Sequence, residues 1–241
     1  YKDRFEDLGD LVVVFVGMLD LDTLRPLAEQ YLATLPATDR EETWRDDGMR
    51  MVEGPLHRVG EAGMDDQAST TMIMHGDAEW TRKSRFALST LASALDIRLR
   101  EVLREDLSGT YGVSVRGSTS AWPEPHWRLT ISFGCEPARL DELVGQAIAT
   151  LDEVRDQGFD PEYLEKVREQ DLRGHEENIR TNGYWTSVIA FRARYGIDQR
   201  EQIDTREFIE SFTQEDLDGA AQRHIRTDEL IRIDKVPQPE S

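Results

Sequence analysis

The chain has 241 residues, of which 48 are Asp or Glu and 29 are Lys or Arg, giving a net charge of −19. A nucleic-acid site needs a basic stripe, and none is visible in the sequence, so phosphate-backbone binding is set aside. A hydrophobic share of 38% supports a packed core, and no apolar run reaches the length of a membrane span. A single cysteine, Cys135, excludes an internal disulfide and leaves the redox compartment open.

The acidic surface suits high salt, where self-repulsion is screened. Tyr1-Lys2-Asp3-Arg4-Phe5 is neither an initiator Met nor a signal peptide, so the chain reads as part of a longer protein.

Leu11-Val12-Val13-Val14-Phe15-Val16 is a continuous apolar run, which predicts a strand covered on both faces and ended by Gly17. Asp20 caps a predicted helix whose stripe is Leu21, Leu24, Leu27, Ala28, Tyr31 and Leu32. Thr38 to Pro55 is polar and acidic and reads as an exposed connection. Ser69 to His75 alternates weakly and predicts a strand.

Thr81 opens a long helix. Leu88, Leu91, Ala92, Leu95, Leu99, Val102 and Leu103 recur at helical spacing, and Ser108-Gly109 stops it, with Gly suited to a left-handed turn. From Thr110 the period falls to two, placing Tyr111, Val113 and Val115 on one side of a strand. Pro123-Glu124-Pro125 turns the chain into a partner strand in which Trp127, Leu129, Ile131 and Phe133 alternate.

A helix from about Pro137 to Gln157 ends at Gly158. Asp160-Pro161-Glu162 starts another, running to about Arg180. Thr181-Asn182-Gly183 interrupts it before a segment around Trp185 and Phe191. Thr213 caps a last helix, and Leu230 to Ile233 is a short closing strand. These elements predict one α+β domain over 1–241, with helices against a mostly antiparallel sheet.

Chemistry is sparse. The histidines, His57, His75, His126, His175 and His224, never lie within a helical turn of one another, and His175-Glu176-Glu177 has no second His nearby. No Gly-x-Ser-x-Gly turn or Gly-rich phosphate loop occurs, and Cys135 reads as a small buried filler. Arg104, in the last turn of the long helix, and Tyr111, at the start of the returning strand, flank one turn. Both are hydrogen-bond donors suited to a carbonyl acquiring negative charge, although the helix macrodipole alone also favours Arg104 there.

Leu103-Arg104-Glu105-Asp106-Leu107-Ser108-Gly109-Thr110-Tyr111-Gly112-Val113 resembles the Arg-Glu…Gly-x-x-Tyr segment of the pitrilysin/insulinase family of zinc peptidases. Val13 to Leu24, Tyr31-Leu32-Ala33-Thr34-Leu35-Pro36, Gly158 to Val167 and Phe212 to Ala221 resemble further family segments in the same order. The resemblance implies half of a clam-shell peptidase that closes around an unfolded peptide. It also implies the fold of a pitrilysin or mitochondrial-processing-peptidase-like half.

In that family the zinc-binding half carries His-x-x-Glu-His, which this chain lacks. The resemblance therefore implies the C-terminal portion, inactive alone, with no metal or cofactor of its own. Zinc is then expected in the missing half, which is the implied partner, on the same chain or on another subunit. Arg104 and Tyr111 are implied to orient the substrate and stabilise the transition state. Peptide or unfolded polypeptide is the implied substrate, and bacterial relatives point to the cell envelope or periplasm. One rival reading is a non-catalytic peptidase-like subunit or scaffold that binds peptides or an active partner; a second is a plain α+β interaction domain unrelated to peptidases.

Overall fold

The structure, a computed structural model, describes residues 5–38, 43–62, 67–106, 108, 110, 112–202 and 204–238. The chain divides into two units. One comprises Tyr1–Asp47 with Gln170–Glu210, the other Gly48–Glu169 with Ser211–Ser241.

In the first unit, helix α1 (Leu21–Tyr31) starts where Asp20 was expected to cap it, the carboxylate accepting from the Asp22 N–H at 3.1 Å. The run Leu11–Val16 departs from its expectation. It forms no strand, and Leu11, Val12, Val13 and Phe15 are exposed. A strand needs a ladder partner as well as apolar side chains, and the described residues supply none here.

The second unit holds a five-stranded sheet in the order β1-β5-β2-β4-β3. Its strands are β1 (Leu56–Glu61), β2 (Ala68–Asp77), β3 (Gly112–Ser120), β4 (His126–Cys135) and β5 (Ile231–Val236). β1 and β5 pair in parallel; β5–β2, β2–β4 and β4–β3 are antiparallel, so the sheet is mostly antiparallel and the fold is α+β. β3 and β4 form the expected hairpin. β1 was not foreseen, because Leu-His-Arg-Val-Gly-Glu carries no apolar pattern; it exists because β5 offers it an edge.

Helices α2 (Arg82–Arg100), α3 (Leu140–Gln157) and α7 (Gln214–His224) cover one sheet face. Trp127, Leu129, Ile131 and Phe133 of β4 are all buried on that face, with Met72 and Met74 of β2 and Leu88, Leu91, Leu95 and Leu99 of α2. α2 approaches β3 so closely that a Cβ on Gly117 would lie 2.8 Å from Leu88, which explains the glycine. The expected caps are in place. Thr81 Oγ1 accepts from the Ser84 N–H at 3.0 Å, and Thr213 with Asp216 makes a reciprocal capping box.

Helix α4 (Pro161–Asn178) begins in the second unit and ends in the first. Helices α5 (Asn182–Tyr195) and α6 (Thr205–Glu210) belong to the first unit; α5 is capped by Thr181 and ended by Gly196 in the left-handed region.

Candidate functional site

The long helix does not run unbroken to Ser108. After Arg100 it widens into a π-helical turn, Glu101–Asp106. Such a turn adds a residue to the helical circuit, and π-turns recur at functional sites. Here the turn keeps Val102 and Leu103 in the core and leaves Arg104 exposed. The Arg104 guanidinium makes no hydrogen bond or ion pair with the described residues.

The start of the turn is tied down from α4. Tyr163 Oη donates to Glu101 Oε2 at 2.5 Å, and Lys166 Nζ lies 3.6 Å from Glu101 Oε1. Burial first, then the Glu101 carboxylate, pushes the Tyr163 phenol above its ordinary pKa, so it stays a donor. Sequence reading placed Tyr163 only at a helix start. Its spacing from Glu101 carries no local signal, because the two meet through packing.

Beyond the turn, Ser108 takes the left-handed conformation (φ 48°) that was assigned to Gly109; Gly109 itself lies outside the described residues. Thr110 Oγ1 donates to the Gly134 carbonyl at 2.6 Å, fastening the start of β3 to the end of β4. Tyr111 lies outside the described residues, between Thr110 and Gly112.

Other candidates fall away. Among the described residues no three His, Cys, Asp or Glu side chains are grouped as a metal ion would need. The described residues therefore do not fit a zinc site. Cys135 is buried, with burial pushing its thiol up, as suits a core filler. His175, on α4, lies edge-on to Tyr184.

A family profile described as the peptidase M16 inactive domain matches residues 1–170. The chain belongs to this family. The expected membership of the pitrilysin-type zinc peptidases is thereby met.

The chain is 24% identical over 227 residues to the probable zinc protease PqqL of Haemophilus influenzae, covering 90% of this chain and 24% of that protein. It is 24% identical over 176 residues to the chloroplastic stromal processing peptidase of Oryza sativa, covering 70% of this chain and 14% of that one. The chain thus spans about a quarter or less of these relatives.

The fold matches the periplasmic protease PqqL of Escherichia coli with a TM-score of 0.77 at 19% identity, over 92% of this chain and 25% of that one. It matches a peptidase M16 inactive domain from Pseudomonas fluorescens with a TM-score of 0.70 at 17% identity, over 91% and 52%.

Proposed function

We propose that this M16 inactive domain is the C-terminal, zinc-free portion of a larger zinc metalloendopeptidase, inactive alone, that positions peptide substrate for a zinc-binding half elsewhere in its parent protein. The observation that carries the reading is the π-turn: it holds Arg104 exposed, with no partner among the described residues, on a base that packing and the Glu101–Tyr163 bond hold in place. Arg104 and Tyr111 each donate a hydrogen bond toward the carbonyl of the peptide bond being cut. Their contribution grows as negative charge gathers on that oxygen, so they lower the barrier more than they tighten binding.

Two further observations support a larger parent. The relatives are several times longer, and the exposed Leu11–Phe15 run is apolar surface that an additional part of the protein would cover. No helix among the described residues is long and apolar enough to cross a membrane. The periplasmic location of the Escherichia coli relative supports a bacterial envelope setting.

The test is hydrolysis of a quenched fluorescent peptide with zinc present. The 241-residue chain alone is expected to be silent and to restore activity when mixed with the separately made zinc-binding half. In the full-length parent, Arg104→Ala and Tyr111→Phe are each expected to lower kcat at least about tenfold with a smaller change in KM. Activity from the chain alone, or full activity in both variants, would overturn the reading.

A further inference from the structure

The helices of the second unit cover one face of the sheet. The register of the ladders gives the residues of the other face row by row. Lys235 stands opposite Ser69; Arg58 shares a row with Ile233, Thr71, Ser132 and Ser114; Arg116 is opposite Thr130; and Arg128 is opposite Ser118 and His75. The Ser132 hydroxyl donates to Thr71 Oγ1 at 3.3 Å across this face, as the register requires.

A fifth of the chain is Asp or Glu, yet the strands contribute no carboxylate to these rows; the first to appear are Asp77, in the row beyond, and Glu53 and Glu124 of the adjoining segments at the His75 end. Arg58, Arg116, Arg128 and Lys235 are all exposed, and none is in an ion pair with a described residue. Elsewhere many cations are matched, as in Arg232 with Asp141 and Asp234, Arg155 with Asp152, and Arg206 with Glu176. A solvated sheet face in so acidic a chain has no need to exclude carboxylates. A face that receives them does.

We propose that this face, beyond the His75 end where Val52 lies against it, binds an acidic stretch of polypeptide in extended conformation, with its strongest point at Arg116 and Arg128. These two are diagonal neighbours on the β3–β4 hairpin, a relation that sets side-chain origins about 7 Å apart. Alternate residues of an extended peptide are separated by about the same distance. A peptide carrying Asp or Glu at every second position therefore presents carboxylates at the spacing of the two guanidinium groups. A cleft of about 550 Å³ adjoins them, lined on this face by Ile73, Thr130 and Ser118 and reaching round the β3 edge to Val115, Gly117 and Ser93 of α2. Hydroxyls there can bond the peptide backbone.

Four cations spread over five strands are too sparse for the charge density of a nucleic acid, which favours a peptide as the occupant. The inference rests on the reading of this chain as a peptide-handling domain and names the substrate chemistry it prefers.

The test is equilibrium binding to the 241-residue chain, without any peptidase assay, so that it can fail while the divided-site reading stands, and the reverse. The probes are a fluorescent Glu-Ser repeat of about a dozen residues and its Gln-Ser counterpart. The Glu-Ser peptide is expected to bind at least about tenfold more tightly, and to lose that advantage between about 0.05 and 0.5 M salt. The double variant Arg116→Gln/Arg128→Gln is expected to abolish the preference. Arg100→Gln/Arg223→Gln removes the same charge from exposed positions on the helices of the same unit and is expected to keep it.

Circular dichroism shows whether each variant is folded; should the first pair fail to fold, Arg58→Gln/Lys235→Gln tests the same face and is expected to weaken the preference. Equal binding of the two peptides would overturn the proposal, as would equal effects of on-face and off-face variants, or tighter binding of a single-stranded oligonucleotide of matching length.

Discussion

Two stretches of the chain look alike as strings and end differently. Leu11–Val16 and the Trp127–Phe133 segment of β4 both read as strands. The first is more apolar, yet Leu11, Val12, Val13 and Phe15 are exposed and it forms no strand, whereas the second is the centre of a sheet with its alternate side chains buried. The difference lies in the partners. β4 has β2 on one side and β3 on the other and lies beneath helices, so its backbone groups and its apolar face are both satisfied. An apolar run creates a demand for partners and does not supply them.

The comparison can be sharpened by asking what each stretch contributes to stability. Ile131→Ala should lower the unfolding free energy by about 2–5 kcal/mol, read from urea denaturation, because Ile131 is fully buried and its removal leaves a cavity. A loss below about 1 kcal/mol would show that the β4 side of the core is loosely packed.

Next in size is acid sensitivity at the Trp127 end of β4. His224 is buried edge-on against Trp127 at 4.5 Å, and Nδ1 has no hydrogen-bond partner among the described residues. Burial, followed by the charges of Arg223 and Arg226, pushes its pKa down from 6.5 to about 4. The unfolded chain therefore takes up a proton between those values while the folded chain does not. Stability falls as pH drops from about 6.5 toward 4, by about 3 kcal/mol in all. His224→Phe should flatten that part of the pH–stability profile; an unchanged profile would assign the loss to other groups.

Thr213→Ala removes the cap of α7 and half of its capping box, and should cost about 1 kcal/mol. At the other end of the scale, Val12→Thr, on the exposed run, should change the stability of the 241-residue chain by less than about 0.5 kcal/mol. In the full-length parent the same substitution should cost more, and that contrast between chain and parent is the direct check that the run is covered there.

The same distinction explains what was legible. Asp20, Thr81 and Thr213 each bond a backbone N–H within three residues, so the sequence is enough to place those helix starts. The alternation of β4 is likewise a local signal with a strong apolar side. β1 was invisible because its ladder comes from a strand more than a hundred residues later. The π-turn was invisible because Glu101–Asp106 has ordinary helical propensity, and only Tyr163 and the packing of Val102 and Leu103 distinguish it. At the candidate site, Arg104 stands exposed in the turn where sequence reading placed it, and the shape of that turn was learned from the structure alone.

The order of the strands has a consequence for how the protein is made. β5 comprises almost the last described residues, yet it lies between β1 and β2 and is the partner of β1 among the described strands. During synthesis the β2–β4–β3 part of the sheet and its long helix can assemble early, since their contacts are comparatively local. β1 must wait, unpaired, until Ile231–Val236 leaves the ribosome, and β2 meanwhile presents a bare edge to any neighbouring chain. Translation that stops a few residues short of β5 would thus forfeit two ladders at once, and the unfinished product would carry an open seam through the sheet.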